Sequence, residues 1–225
     1  MSLLEFHWRA PETLISVEDY RRAALRRLPQ MVATFIEGGA DDLAAVRGNA
    51  AAFERWALRP RVLAGIESVD LSTTLLGTTL ALPVVLAPTG LTGMTRWDGD
   101  IAAARAAETH GTRYALSSIS SWSIQEVAAA TSTAPFLQLY PKSSGLTETL
   151  MKRAVDHGID VMMVTVDCPV MGNREGERKQ GMGRPPVLTA RRALNVARHP
   201  AWVYRLLRHQ RISGRNLVEE NGIRA

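Results

Sequence analysis

The sequence predicts an α/β fold with a parallel sheet, in the manner of a (β/α) barrel of which about four βα units are present, behind an N-terminal helical segment. Three observations predict it. Four short apolar runs each end in a small polar cluster. Stretches of helical periodicity separate the runs. The chain before the first run reads mostly as helix.

The helical segment comes first. Ser16 is placed to cap a helix, with Asp19 in its first turn, where a carboxylate favours the dipole. Tyr20, Ala23, Ala24, Leu25 and Leu28 follow on a helical period, and Pro29 restarts the chain. Met31, Val32, Phe35 and Ile36 form a second apolar face, ended by Gly38-Gly39. Asp41-Asp42 opens a third helix carrying Leu43, Val46, Ala50 and Phe53. Residues 71–82 predict a small hairpin turning at Gly77.

The runs then begin. Leu82–Ala87 ends in Pro88-Thr89-Gly90, and Tyr114–Leu116 ends in Ser117-Ser118. Pro135–Leu137 ends in Gln138-Leu139-Tyr140, and Val161–Val164 ends in Thr165-Val166-Asp167. Near-continuous apolar runs are how buried parallel strands read. The connecting helices are Asp98–His110, a helix capped by Ser121 or Ser123 and running through Ala130, and Thr147–His157. Chemistry in a (β/α) barrel sits at the carboxyl ends of the strands. Polar groups at each run's end therefore predict one shared site. The organisation expected is a helical segment over 1–70, the strand-bearing part over 71–175 and a tail over 176–225.

Bulk properties narrow the partners. A chain of 225 residues, 46% hydrophobic and 22% charged, can bury a real core. No apolar run approaches the roughly 20 residues that span a bilayer. Met1–Trp8 lacks the basic start and apolar core of a signal peptide. The single cysteine, Cys168, excludes an internal disulfide and suits a reducing compartment, so a cytoplasmic location is expected. The net charge of +5 is uneven: residues 1–170 hold 15 basic and 18 acidic side chains, and residues 171–225 hold 12 and 4. The basicity belongs to the tail and predicts an anionic surface as its partner.

Few residues have the usual catalytic look. His110-Gly111 and His157-Gly158 fall where a helix ends and a strand begins, the end of a barrel associated with stability. His7, His199 and His209 are isolated and read as surface residues. No cluster has metal-ligand spacing, and no Walker or dinucleotide glycine fingerprint is present. Ser117-Ser118 has no neighbouring base, so ligand or backbone hydrogen bonding suits it better than attack. Gln138 and Tyr140 lie i, i+2 on one strand and share a face; the spacing admits an ordinary core pair as well as a ligand site. Asp167 reads either as catalytic or as a loop cap. Arg174 reads either as surface charge or as a carboxylate clamp.

Seven ordered segments resemble the FMN-dependent α-hydroxy acid oxidoreductases, the group of glycolate oxidase, flavin lactate dehydrogenase and mandelate dehydrogenase. They are Leu28-Pro29, Gly38–Asp41, Arg59–Arg61, Ala87–Gly90, Leu116–Ser118, Phe136–Tyr140 and Thr165–Pro169 with Gly172, Arg174 and Glu175. The resemblance implies the first half of a TIM barrel and FMN as cofactor. It implies a small L-2-hydroxy acid as substrate, oxidised to a 2-oxo acid, and a homo-oligomer for the full-length protein. It places the backbone of Ala87, Pro88 and Thr89 against the flavin ring, with Ser117, Gln138 and Thr165 on its polar edge. It points the Tyr140 hydroxyl at the substrate, gives Arg174 the substrate carboxylate and makes Asp167 a support of the catalytic site. Phe35 stands where the family usually carries a second substrate-binding tyrosine.

On the same resemblance the chain is expected to be an N-terminal portion. The family's flavin-proximal lysine, His-Gly-Gly-Arg segment and phosphate loops follow the fourth barrel unit, so the chain alone is expected to be inactive. The other expectation is a non-catalytic half-barrel that binds flavin weakly or pairs with a partner. The segment 176–215 is similar to the membrane-surface segment of some family members. Arg191, Arg192, Arg198, Arg205, Arg208 and Arg211 with Trp202 and Tyr204 suit contact with anionic headgroups. A solvated lid or subunit contact suits them equally. Nucleic acid is not expected, since no binding motif accompanies the charge.

Overall fold

A computed structural model describes residues 14–141, 144–167, 170–183 and 186–218. His7, Cys168 and Pro169 lie outside the described residues. Helix α1 (Val17–Arg27) opens with the expected cap: the Ser16 side chain accepts from the Asp19 N–H while the Asp19 carboxylate accepts from the Ser16 N–H. Helix α2 (Gln30–Glu37) starts after Pro29. Helix α3 (Ala44–Phe53) begins later than Asp41-Asp42 predicted, because Asp41 and Leu43 both adopt left-handed backbone angles, φ 46° and 60°. The hairpin forms as strands β1 (Thr73–Leu75) and β2 (Thr78–Leu80). Leu76 and Gly77 turn it with φ 49° and 80°, the positive pair that matches strand twist in a two-residue loop.

Strands β3 (Ala115–Ser117), β4 (Phe136–Leu139) and β5 (Met162–Val164) pair in parallel, in chain order. Helices α4 (Gly99–Thr109), α5 (Ile124–Ala128) and α6 (Ser144–Asp156) alternate with them. The first apolar run shortens to one parallel bridge between Leu86 and Tyr114. Pro83 has no N–H to donate to a ladder, and the Val84 N–H turns back to the Leu82 carbonyl at 2.8 Å. The result is a mixed α/β fold with parallel strands and intervening helices, without a closed barrel.

Alternation along the strands sorts two faces. Leu116, Leu137 and Leu139 face the helices and pack in a buried cluster with Ile101, Ile124, Val127 and Leu150. Ala115 and Phe136 face the other way and pack with Val161. Ser117 and Gln138 lie two residues further along this second face, so it changes from apolar to polar toward the strands' carboxyl ends.

The tail holds four helices among the described residues: α7 (Glu175–Gln180), α8 (Ala190–Ala197), α9 (Pro200–His209) and α10 (Arg215–Val218). Pro200 opens α9 and parts it from α8, and no sequence period announces α7. It is short, with Glu175 and Glu177 in its first turn, Arg178 and Lys179 in its last, and Gly181 at its end. Terminal charges complementing the dipole, rather than an apolar stripe, mark it in the sequence.

Candidate active site

The register of the sheet builds the site. Ser117 pairs with Gln138 across β3 and β4, and Gln138 pairs with Met163 across β4 and β5, which puts Thr165 one step beyond. The Ser117 hydroxyl donates to Gln138 Oε1 at 3.0 Å, and Gln138 Nε2 donates to Thr165 Oγ1 at 2.7 Å. Three strand ends are thus joined by one line of side-chain hydrogen bonds. Ser117 is 3% exposed and Gln138 4%. A buried amide in an otherwise apolar sheet is tolerated only while its groups are satisfied. Here they satisfy one another, and together they present both donors and acceptors at one place. That donor set fits the polar edge of a flavin ring.

The following residues are held by the same ladder. The Ser118 N–H donates to the Gln138 carbonyl at 2.9 Å, and the Thr165 N–H to the Leu139 carbonyl at 2.9 Å. Tyr140, half-buried, continues the Phe136–Gln138 face past the end of β4. The loop after the first run, with Ala87, Pro88 and Thr89, is tied to the loop after β3. The Leu91 N–H donates to the Ile119 carbonyl at 3.0 Å, and the Gly93 N–H to Ser121 Oγ at 3.0 Å.

Arg174 lies in a different part of the chain. It is the residue before α7, and one of its terminal nitrogens donates to the Phe35 carbonyl at 2.8 Å. Its guanidinium lies 5.3 Å from the centre of the Phe35 ring, a cation–π distance. It also forms an ion pair with Glu177. Arg174 and Phe35 are therefore neighbours. Asp167 is exposed beyond β5 and engages a partner within the fold.

Sequence reasoning missed Asp100. Its carboxylate is fully buried at the start of α4, accepts from the Tyr114 hydroxyl at 2.7 Å and from the Ser121 N–H at 3.1 Å. Burial raises its pKa above the ordinary carboxylate value, and the hydrogen bonds oppose that rise. Asp100 thereby supports Ser121, which in turn holds Gly93. Its place in a first helical turn was the available signal, but that position alone reads as ordinary dipole complementation.

The tail folds back over these loops. Trp202 Nε1 donates to the Met94 carbonyl at 2.7 Å. Arg211 binds both carboxylate oxygens of Glu126, at 3.0 and 2.8 Å, with its guanidinium 3.8 Å from the Trp122 ring centre. Asn216, fully buried, accepts from the Ile124 N–H at 2.9 Å and donates to Ser120 Oγ at 3.1 Å. Gly93 admits this arm, because a Cβ there would overlap the Arg211 carbonyl. Trp202 and Arg211 thus serve the fold. Arg192 does too, donating to the Val187 and Lys179 carbonyls at 2.9 Å each. Arg191, Arg198, Tyr204, Arg205 and Arg208 remain exposed. No helix among the described residues is long and apolar enough to cross a membrane.

The histidines stand elsewhere. His110 caps the carboxyl end of α4, and His157 follows α6 with Nδ1 2.8 Å from the Arg153 carbonyl. His199 Nδ1 lies 2.8 Å from the Asn195 carbonyl, and His209 stacks on Trp97 with ring centres 3.9 Å apart. No group of three His, Cys, Asp or Glu side chains able to hold a metal occurs among the described residues.

Comparison with known proteins places this geometry. L-lactate dehydrogenase of Allorhizobium ampelinum is 43% identical over 188 residues, 83% of this chain and 49% of that protein. L-lactate dehydrogenase of Xanthobacter autotrophicus is 42% identical over 190 residues, 84% of this chain and 49% of that protein. The chain therefore spans about half the length of the curated relatives it matches. Among solved structures, the monotopic membrane protein (S)-mandelate dehydrogenase superposes with a TM-score of 0.83 at 33% identity, over 87% of this chain and 52% of the other. A soluble mutant of the membrane-associated (S)-mandelate dehydrogenase from Pseudomonas putida gives 0.74 at 34% identity, over 80% and 52%. The fold is similar to that of these TIM-barrel flavoenzymes. A profile of FMN-dependent dehydrogenases matches residues 24–223, so the chain belongs to the FMN-dependent dehydrogenase family, whose cofactor is FMN.

Proposed function

We propose that this chain supplies the flavin-facing part of an oxidoreductase that converts an L-2-hydroxy acid of the lactate, mandelate or glycolate class to its 2-oxo acid. The observation that carries the reading is the hydrogen-bonded line Ser117–Gln138–Thr165 at three parallel strand ends. In this reading the three side chains exchange bonds with one another for bonds to the ring's polar edge. The backbone of Ala87, Pro88 and Thr89 lies against the ring, and the Leu91–Ile119 bond keeps that loop in place. The chemistry that bound FMN would supply there is an acceptor for the hydride equivalent from the α-carbon.

On the substrate side, Arg174 holds the carboxylate. Its fork suits two parallel bonds to a carboxylate, and the substrate takes over the guanidinium from Glu177. The Tyr140 hydroxyl meets the substrate's α-substituents, and Asp167 orients its neighbours. The α-hydroxyl proton needs a base. The four described histidines are engaged as caps, backbone partners or a stacking partner, and none lies at the carboxyl end of β3, β4 or β5. On the resemblance to the family, this reading gives the base to a segment that follows the fourth βα unit, and gives this chain about four of the barrel's eight units. The units proposed are 1–70, 71–175 and 176–225. The truncated reading is tested by adding FMN and L-lactate or (S)-mandelate anaerobically. The flavin absorbance is expected to persist; bleaching would overturn it.

A second reading, a half-barrel that pairs with a partner, is favoured by exposed apolar side chains. Leu58 and Leu63 are fully exposed, and Val164 and Val166 are open beside β5. An unpaired parallel edge recruits further strands. Sizing chromatography is expected to give a self-associated species; a stable monomer would count against pairing. Exposed Leu194, Tyr204 and Leu207 beside Arg205 and Arg208 support peripheral contact of the tail with an anionic membrane at the inner face. Co-sedimentation with liposomes is expected to rise with anionic lipid, and indifference to it would remove this reading.

A further inference from the structure

A groove of about 370 Å³ opens between the start of α2 and the face of α8, away from the strand ends. Its lining includes Lys179, Arg191, Arg192 and Arg198 and, among the described residues, no carboxylate. Four cations around one cavity repel each other unless an anion joins them. The walls are fixed by bonds within the fold. The Gln30 N–H donates to Asn195 Oδ1 at 2.8 Å, pinning α2 to α8. Arg192 is held by the carbonyls of Val187 and Lys179, and Lys179 has Glu175 at 3.1 Å on its outer side. The Arg191 and Arg198 side chains make no hydrogen bond or ion pair with any described residue. Two guanidinium forks therefore stand unengaged beside two anchored cations.

We propose that this groove binds a phosphate group carrying more than one negative charge. A guanidinium fork matches phosphate oxygens two at a time. A single carboxylate would leave most of the cationic charge uncompensated, whereas a phosphomonoester or diphosphate meets several cations at once. The amino end of α2 borders the groove and adds partial positive charge. Two sources share this chemistry: the headgroup of an anionic phospholipid and a soluble phosphate compound. The site requires neither flavin nor hydroxy acid.

The test uses the full chain and two probes, inorganic pyrophosphate by titration calorimetry and phosphatidylcholine vesicles with about one-fifth phosphatidic acid by co-sedimentation. The variants are Arg191→Ala with Arg198→Ala, the same pair to Lys, and Arg205→Ala with Arg208→Ala as a charge-matched control on α9. Pyrophosphate is expected to bind saturably, about tenfold or more weaker in the Arg191/Arg198 alanine pair and nearly unchanged in the α9 control. The lysine pair, which keeps charge and fold, is expected to fall between. Loss of both vesicle and pyrophosphate binding in the Arg191/Arg198 alanine pair assigns the site to a lipid headgroup. Vesicle binding untouched by that pair, with pyrophosphate binding lost, assigns it to a soluble phosphate. Equal weakening of pyrophosphate binding by both alanine pairs would overturn the proposal by showing diffuse attraction. So would the absence of any binding that depends on Arg191 and Arg198.

Discussion

The two sides of the candidate site are built differently. The proposed flavin side is Ser117, Gln138 and Thr165, which sheet register brings into hydrogen-bond contact. The proposed substrate side centres on Arg174, whose loop meets Phe35 on a helix 139 positions away. Gln138 is 4% exposed, and the Arg174 side chain is 36% exposed and shared between a carbonyl, a ring and Glu177. A cofactor that never varies suits groups fixed by strands. A substrate that differs between relatives suits groups on movable loops.

This contrast can be broken from the core outward. Leu137 is completely buried on the helix-facing side of β4. Leu137→Ala is expected to cost about 2–5 kcal/mol in urea unfolding and to remove both sides of the site together. Gln138→Leu keeps the volume but strands Ser117 and Thr165, and is expected to cost about 1–3 kcal/mol. Arg174→Ala is expected to change stability by no more than about 1 kcal/mol. It should also abolish the absorbance change that pyruvate produces in the FMN-loaded chain.

The smallest expected effect concerns the arm over the loops, and it is a pH effect. Burial raises the Glu126 carboxyl, but Arg211 and the Ser123 N–H outweigh it, leaving its pKa below the ordinary 4.5. This pair therefore stabilises the docked arm above about pH 4.5, and the contribution is lost as pH falls through the lowered value. Asp100 has the opposite sign. Its raised pKa makes its contribution full below the ordinary 3.8, and the contribution is lost as pH rises through the raised value. Acid titration followed by tryptophan fluorescence should report Trp202 and Trp122 changing before the sheet unfolds. Simultaneous loss of both signals would contradict the separation.

Much of the flavin side was legible in the sequence, because strands carry their information locally. Four apolar runs with polar ends located Ser117, Gln138 and Thr165, and period-two alternation put Gln138 and Tyr140 on one face. The first strand's shortening was less legible, although Pro83 marks where a ladder bond is missing. The substrate side was harder to read. Glu177 is its local i+3 partner, but nothing local to Arg174 says that Phe35 will meet it. Asp100 and Asn216 were invisible for the same reason: their burial depends on Tyr114, Ser120 and Ile124, which are distant in the chain. The tail's arginines were read as one basic surface. The fold divides them by which carbonyls and carboxylates lie within reach.

The most direct test of the central claim is an FMN titration by flavin fluorescence quenching on the native chain, Gln138→Leu and Arg174→Ala. The account predicts saturable binding, weakened about tenfold or more by Gln138→Leu and unchanged by Arg174→Ala. Equal binding by the native chain and a folded Gln138→Leu variant would contradict it.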